Sequence, residues 1–417
     1  MKTKCFLLFC MFALFFGCKG NNPSLDIENG NGVKQPKQLK LTEQDKQVLN
    51  HNNDFSLKFF NQICADTDEN VVCSPMSASA LLGLLMNGTD GETFAQIQNT
   101  LGFADFNRRQ INEYYAKLFE ALPALDRTNI LRIANSVWVA DDFKLEDDFV
   151  SIGKEYFDTK IANVNFTKSK TADLINKWAS DNTGGHISNI VDKEMIREAV
   201  MVLANALYFS GKWESPFDED YTFEETFHSI KGEQRVDMMR KTDYFLFTET
   251  DEIKVLEMPY KEGKFCMDII LPKSEAELKQ ITPFVCNNDN WNKLIGGLST
   301  YKVHIKMPKY EIHFSKDLNE ILQELGIKNI FTSLADFSKL SPMQVLVSLI
   351  KQDAYLKVYE AGTEAAAVTI AIGEVTSAGP EPMEEIKEFI ANRPFMLAIR
   401  EKQNGVILFM AQINTLE

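Results

Sequence analysis

Side chains that commonly carry out acid–base or metal chemistry are few and scattered in this 417-residue chain. The five histidines lie in segments of different character and form no metal-binding pattern: His51, His186, His228, His304 and His313. The chain has no GxSxG, HExxH, GxGxxG or GxxxxGK[ST] sequence, so the motifs of hydrolases, zinc proteases and nucleotide-binding folds are absent. The sequence therefore indicates no catalytic residue, no metal and no cofactor.

The seven cysteines do not suggest a metal site either. Cys5 and Cys10 fall in an N-terminal apolar run, and Cys18 follows that run. The other four show no CxxC pair and no regular spacing: Cys64, Cys73, Cys266 and Cys286. A chain of this size can bury a core without a disulfide framework. We therefore predict free, mostly buried thiols, while a bridge between Cys266 and Cys286 stays open as an alternative.

The most informative pattern lies in residues 360–380. Small residues occupy alternate positions there: Thr363, Ala365, Ala367, Thr369, Ala371 and Gly373. Because successive residues of a strand point to opposite faces, such a segment can present one small face to a packed core and slip between two existing strands. An ordinary edge strand with a polar end fits the same periodicity.

Residues 360–369 (Glu-Ala-Gly-Thr-Glu-Ala-Ala-Ala-Val-Thr) resemble the hinge of inhibitory serpins. Eight further segments resemble serpin motifs in the order of that family: Asn70–Ser77, Ile133–Val139, Ile175–Ile187, Leu203–Trp213, Met307–Tyr310, Asp336–Ser338, Arg393–Phe395 and Ile407–Met410. The resemblance covers the chain from about residue 42. Within the family, the chain resembles bacterial lipoprotein serpins. It implies a serpin fold with an exposed reactive-centre loop at about residues 361–388.

The resemblance also implies roles for three groups of residues. The hinge of the loop comprises Glu360, Gly362, Thr363, Glu364, Ala365, Ala366, Ala367 and Thr369. The breach, where the loop begins to enter the sheet, comprises Trp213, Lys309 and Glu360, with an ion pair between Lys309 and Glu360. The shutter beneath the sheet comprises Ser74, Ser77, Asn205 and Gln352. Gln352 replaces the usual histidine, so it keeps hydrogen-bonding groups but brings no imidazole titration.

The function that the resemblance implies is suicide inhibition of serine proteases, in which the attacked loop forms an acyl-enzyme and then inserts as a new strand. Counting from Glu360 as in typical inhibitory serpins places the reactive bond between Thr376 and Ser377, with Val375 as the second choice. Small, β-branched Thr376 favours elastase-like targets, and cysteine proteases are a further class of partner. A non-inhibitory binding or carrier protein is the main alternative, and a hydrolase with an unrecognised site is the weakest one.

The N-terminus is predicted to be an export signal. Lys2 and Lys4 precede the apolar run Cys5–Phe16, which at 12 residues is shorter than the ~20 that a spanning helix needs. The end of this signal (1–17) resembles a bacterial lipobox, so we expect Cys18 to be lipidated; ordinary cleavage and secretion is the alternative. Residues 18–41 are polar and rich in Gly, Pro and Asn, which predicts a flexible tether to a bacterial membrane.

Composition and patterning predict one large α+β domain over residues 42–417. The 59 acidic and 44 basic side chains leave a net charge of −15, which argues against nucleic acid as a partner. Helical patterns dominate the first third, with Ser74-Pro75 as a helix start and helices over 107–121 and 171–182. Strands follow at 130–140, 199–209, 253–260, 265–271, 301–313, 345–359, 394–400 and 406–413. This order favours large mixed or antiparallel sheets, and we expect a monomer.

Overall fold

The computed structural model of the protein describes residues 37–65, 67–273, 278–363 and 385–416. The helices in these residues are α1 (Glu43–Ala65), α2 (Pro75–Gly88), α3 (Gly91–Thr100), α4 (Arg108–Ala121), α5 (Asp147–Phe157), α6 (Lys170–Thr183), α7 (Lys193–Ile196), α8 (Leu278–Val285), α9 (Asn288–Gly296) and α10 (Asn319–Glu324). Within the described ranges, no helix combines the length and the apolar character needed to cross a membrane.

The strands are β1 (Val71–Cys73), β2 (Ile130–Ala140), β3 (Lys160–Val164), β4 (Met201–Lys212), β5 (Phe223–Ser229), β6 (Gly232–Glu249), β7 (Ile253–Pro259), β8 (Phe265–Pro272), β9 (Ser299–Pro308), β10 (Tyr310–Asp317), β11 (Leu349–Tyr359), β12 (Gly362–Thr363), β13 (Lys387–Ile390), β14 (Phe395–Glu401) and β15 (Ile407–Ile413). They form two sheets, and the predicted α+β class is confirmed.

The smaller sheet has six strands in the order β10-β11-β12-β4-β2-β3, and β11 also pairs directly with β4. That central pairing is parallel and runs from Leu349 opposite Val202 to Tyr355 opposite Tyr208. The larger sheet has nine strands, with eight in the path β1-β15-β14-β8-β7-β6-β9-β13 and β5 paired to β6. The chain passes from the larger sheet to the smaller one between β9 and β10, which are separated only by Lys309.

Helix α2 is buried along its whole length beneath the six-stranded sheet. Its apolar residues surround the helix on every side, which is the pattern of a helix enclosed by protein. Ser74 caps its start by accepting a hydrogen bond from the Ser77 amide, and Pro75 occupies the first turn as predicted from the sequence. Helices predicted at 107–121 and 171–182 are likewise confirmed as α4 and α6.

Helix α6 covers the opposite face of the six-stranded sheet. Ile175 and Ala179 of α6 pack with Trp138 of β2 and with Ala204 and Ala206 of β4 in a separate apolar cluster. Small alanines on β4 let the helix approach the sheet closely. The centre of this sheet is therefore enclosed on both faces, so a strand can enter it only from an end.

The predicted strand at 301–313 is wrong. The chain instead forms β9 in the nine-stranded sheet and β10 in the six-stranded sheet, with the break at Pro308 and Lys309. The strand pairing stops at Pro308 because proline has no amide hydrogen to donate to a neighbouring strand. The prediction joined the two strands because both contain strand-forming residues and the alternating pattern continues through the break. His304 and His313 consequently lie in different sheets.

The predicted tether overlaps the folded part. The Lys37 amide donates to the Ala124 carbonyl at 3.1 Å, and Leu39 is buried in the main apolar core. The predicted boundary between tether and domain, after residue 41, therefore lies too far along the chain, because residues 37–41 already belong to the domain. Residues 1–36, including the proposed signal and Cys18, lie outside the described residues.

Candidate functional site

The six-stranded sheet opens at one end between β4 and β11, and β12 enters this gap. Thr363 pairs with Val358 of β11 on one side and with Gly211 of β4 on the other. Further along, β4 and β11 pair with each other. We call the line between these two strands the seam. The start of the predicted hinge therefore lies at the open end of a seam whose remaining length is closed.

The two residues of β12 fit this gap closely. Thr363 is fully buried, and its hydroxyl oxygen lies 2.9 Å from that of Tyr260. A Cβ atom on Gly362 would lie 2.0 Å from the carbonyl oxygen of Gly211, so the backbones approach too closely for any side chain. Gly362 is required here for contact reasons, and Thr363 is already part of the sheet.

These findings correct the predicted bounds of the exposed loop, 361–388. Gly362 and Thr363 belong to β12, and at the other end Lys387 and Glu388 belong to β13, which pairs with β9. The predicted hinge and reactive-bond residues within 364–384 lie outside the described residues: Glu364, Ala365, Ala366, Ala367, Thr369, Val375, Thr376 and Ser377.

The predicted breach residues lie together beside β12. The Trp213 ring stacks on Tyr260 with 4.7 Å between centroids, and its indole N–H donates to the Tyr359 carbonyl at 3.1 Å. Its backbone amide donates to the carbonyl of Ala361. Lys309 and Glu360 form an ion pair at 3.1 Å. These contacts hold the chain immediately before the hinge at the open end of the seam.

Glu360 is held as a carboxylate in this cluster. Burial alone would raise the pKa of its carboxyl group. Hydrogen bonds from the Thr222 hydroxyl, at 2.7 Å, and from Lys309 outweigh burial and keep the pKa below its ordinary value. The Phe217 amide also donates to the Glu360 carbonyl at 2.9 Å. Glu360 is thus a fixed anchor for the start of the loop.

The predicted shutter residues form a hydrogen-bonded chain across the seam. The Gln352 side chain accepts from the Ser74 amide at 3.0 Å and donates to the Ser74 carbonyl at 2.9 Å. It also donates to the Asn205 side-chain oxygen at 3.0 Å, which links β11 to β4. Gln352 therefore makes the bonds that the sequence suggested a glutamine could still make. The Ser77 hydroxyl takes no part, because it has no partner among the described groups.

Two residues of the site were not singled out from the sequence. Asn135 of β2 extends the shutter by accepting a hydrogen bond from the Asn205 side chain at 2.8 Å. Tyr260 forms the floor of the breach by contacting both Trp213 and Thr363. Asn135 lies within a quoted motif, Ile133–Val139, and could have been found there. Nothing in the local sequence of Tyr260 points to its role, because its partners are distant in the chain.

Three aromatic rings lie at the seam on the face covered by α6, and a fourth ring lies beside them on β10. Tyr208 of β4 and Tyr355 of β11 are directly opposite each other, with 6.5 Å between ring centroids. His186, from the turn after α6, stacks on both, at 4.5 Å from Tyr208 and 5.0 Å from Tyr355. His313 of β10 contacts Tyr355 at 4.6 Å. This cluster joins both sides of the seam through side chains.

Asp353 of β11 is a buried acid beside the seam. Burial raises the pKa of its carboxyl group from 3.8 to about 7, against the smaller opposing effects of a Ser315 hydrogen bond and the Lys351 charge. One carboxyl oxygen has no hydrogen-bond partner in the described part of the chain. Because the native state holds this proton more tightly than the unfolded chain does, native stability should fall as the pH rises from about 4 to about 7.

We expect Asp353→Asn to remove this pH dependence. Asparagine is neutral at every pH, so the variant should melt several degrees above the wild type at pH 8 and close to it at pH 4. Melting curves followed by circular dichroism across this range measure the effect. Asp173→Asn, at an exposed position on α6, is the matched control. A variant that melts below the wild type at pH 8 would contradict the assignment.

One cluster of possible metal ligands occurs in the described residues: Glu257, Cys266 and Asp268. The Arg400 guanidinium already contacts both carboxylates, with 2.6 Å from its Nε to Asp268, and Lys402 lies 2.7 Å from Glu257. Two cations thus balance two buried anions. This arrangement is a structural ion-pair network, in which Arg400 and Lys402 already provide the positive charge that a metal ion would bring.

The four cysteines in the described residues are all free and buried: Cys64, Cys73, Cys266 and Cys286. The prediction of free, buried thiols is confirmed for them, and the alternative bridge between Cys266 and Cys286 is excluded. Burial raises the pKa of each thiol. These side chains are therefore unreactive core residues at neutral pH.

The fold and the site define a protein with two large sheets, in which β12 lies between β4 and β11 at one end of the smaller sheet. A family model described as serpin (serine protease inhibitor) matches residues 50–416. The chain belongs to the serpin family, as the sequence motifs predicted.

Individual relatives and structures agree with this assignment. Glia-derived nexin of Rattus norvegicus is 33% identical over 374 residues, which cover 87% of this chain and 91% of the nexin. The native state of tengpin, a thermophilic serpin, matches 90% of this chain and 95% of its own, with a TM-score of 0.82 and 30% identity. Human thyroxine-binding globulin, solved with its hormone bound, matches 89% of this chain and 99% of its own, with a TM-score of 0.81 and 25% identity.

Proposed function

We propose that this serpin inhibits serine proteases as a suicide substrate, with elastase-like enzymes as preferred targets. The observation that carries the proposal is the position of Thr363. It already lies between β4 and β11, at the end of the seam where these two strands are apart. A cut in the loop would free the following residues to continue along the same path.

Continuing the register of β12 gives each inserted residue two neighbours. Ala367 would lie between Ala354 and Leu207, and Thr369 between Gln352 and Asn205, a placement that agrees with the observed pairing of β11 and β4. Insertion would break the hydrogen bond that Gln352 now donates to Asn205. The Thr369 hydroxyl, which can both donate and accept, would then be a partner for both side chains. The seam can open there without leaving buried polar groups unpaired.

The same register sorts the loop residues by face. Thr363 faces the core side, where it meets Tyr260. Every second residue after it shares that face: Ala365, Ala367, Thr369, Ala371 and Gly373. These are the small positions, so the inserted strand fits over a packed core. On the other face Glu364 would lie beside Lys357, which places opposite charges side by side.

The distances and energies suit this mechanism. Thr376 is thirteen residues beyond Thr363, so full insertion would carry a protease attached there about 43 Å along the sheet, at ~3.3 Å per residue. After the loss of the pairing between β4 and β11, a net gain of about ten backbone hydrogen bonds at ~1 kcal/mol each would supply on the order of 10 kcal/mol. That is comparable to the ~5–15 kcal/mol that stabilises a typical protein, so the attached protease could be distorted.

Mixing the purified protein with pancreatic elastase tests the proposal. We expect a covalent complex that survives boiling in detergent, and mass spectrometry of the released fragment should place the cut between Thr376 and Ser377. Elastase with a chemically blocked active-site serine is the control and should give no complex. Cleaved serpin together with fully active elastase would count against inhibition and favour a binding or carrier function.

We also propose that the protein is exported and anchored through lipidated Cys18, with residues 19–36 as the tether. The motif at residues 1–18 supports this placement. In a bacterial host, labelled palmitate should be incorporated into the wild type and not into Cys18→Ala, which should leave the membrane fraction. Labelling that persists in Cys18→Ala, or an unlabelled soluble wild type, would contradict the anchor.

A further inference from the structure

The aromatic rings over the seam have a consequence for the rate of insertion. We infer that His186 holds the seam closed by stacking on Tyr208 and Tyr355 at once, so that it sets how fast a strand can enter. The inference rests on the proposed function for its biological meaning. It concerns residues that none of the hinge, breach or shutter contacts includes.

Insertion and the stack exclude each other geometrically. Neighbouring strands are about 4.8 Å apart, so a strand between β4 and β11 would move Tyr208 and Tyr355 from 6.5 Å to about 11 Å apart. His186 now lies 4.5 Å from one ring and 5.0 Å from the other, and together these distances span only 9.5 Å. His186 must therefore release at least one tyrosine before a strand passes.

The register shows what would replace the stack. Ala366 is the residue that would lie between Tyr355 and Tyr208, on the same face of the sheet as the two rings. Its methyl group cannot bridge them. The contacts with His186 thus favour the closed sheet alone, and their loss adds to the barrier for insertion rather than to the stability of the inserted form.

His313 provides an internal control. It also contacts Tyr355, at 4.6 Å, but it lies on β10, directly opposite Tyr355 in the pairing of β10 with β11. These two strands lie on the same side of the seam and stay paired when a strand enters. Removal of the His313 ring therefore loses an aromatic contact with Tyr355 but breaks no contact between β4 and β11.

The test measures strand uptake without any protease. The full chain is incubated with a fluorescein-labelled synthetic peptide of residues 364–376, which would follow directly on the chain's own Thr363, and incorporation is followed on native gels. We expect His186→Ala and Tyr355→Val each to speed uptake about five- to tenfold, because one or two aromatic contacts are lost. The double variant should be little faster than the faster single one, since either change alone breaks the bridge that His186 forms across the seam.

His313→Ala should take up the peptide at the wild-type rate, and His186→Phe, which keeps a ring over both tyrosines, should restore slow uptake. Equal acceleration in His313→Ala, or no acceleration in His186→Ala, would overturn the inference. If no variant takes up peptide while elastase complexes still form at a rate unchanged by His186→Ala, the inference also fails. Faster peptide uptake without elastase complexes would keep the inference and remove the proposed inhibitory function.

Discussion

Under the proposed function, Thr363→Arg should convert the protein from an inhibitor of elastase into a substrate of elastase. The Thr363 side chain is fully buried between β4 and β11, and no acidic group contacts it among the described residues. An arginine there would have to bury an unpaired charge, which costs several kcal/mol. Each 1.36 kcal/mol slows a step tenfold, so we expect insertion to slow by at least a hundredfold. The acyl-enzyme would then hydrolyse before it is trapped.

The measurement is the number of serpin molecules consumed per elastase inhibited, together with the yield of detergent-stable complex. We expect that number to rise more than tenfold and the complex to fall below detection. The rate of loop cleavage should not fall, because residue 363 lies thirteen residues before the predicted cut after Thr376. A variant that still traps elastase with wild-type efficiency would show that Thr363 does not need to re-enter the sheet.

Thr363→Val is the matched control for this change. Valine has the shape of threonine and loses only the hydroxyl contact with Tyr260, worth about 1 kcal/mol. We expect its complex yield to stay close to that of the wild type. If valine abolished trapping as completely as arginine, the hydroxyl contact rather than the buried charge would be responsible, and the steric argument for the small face would be wrong.

The sequence could predict a hinge and a breach because the residues assigned to them carry local signals. The alternation from Thr363 onward depends only on the period of a strand, and Glu360 and Lys309 lie in motifs that resemble family segments. The position of Thr363 inside the sheet could not be predicted in this way. It depends on the pairing with Val358 and Gly211, and the second of these is about 150 residues away in sequence.

The aromatic cluster shows the same limit more clearly. His186, Tyr208 and Tyr355 come from a turn and two strands that only the parallel pairing of β4 and β11 brings together. A lone histidine in a turn gives no sign of two tyrosine partners, so the sequence analysis assigned His186 no role beyond noting that the histidines form no metal-binding pattern. The raised pKa of Asp353 likewise follows from burial in the assembled sheet.

The break between β9 and β10 at Pro308 was missed by the sequence prediction for a different reason. Strand periodicity continues through Pro308 and Lys309, so a pattern search joins β9 and β10 into one strand. Yet this break matters for the site, because it places Lys309 between the two sheets, within 3.1 Å of Glu360. The lysine that anchors the loop is available because the chain leaves one sheet and enters the other at that point.

The larger of the expected stability effects concerns the loop itself. Cleavage of the loop at the predicted bond between Thr376 and Ser377 should raise the melting temperature by about 20–40 °C. An inserted strand would add on the order of 10 kcal/mol of hydrogen bonds, and each kcal/mol raises the melting temperature of a large domain by ~2–4 °C. The inserted residues would then separate β11 from β4 along Leu349–Tyr355, where these two strands now pair directly.

The same melt performed on cleaved Thr363→Arg separates insertion from cleavage. Both proteins carry the same cut, but only the wild type can place residue 363 in the gap beside Gly211. We therefore expect the cleaved variant to melt near its uncleaved form. A cleaved wild type without a rise would mean that the uncut sheet is already at its energy minimum, and the strand-accepting seam would then have no stored free energy with which to trap a protease.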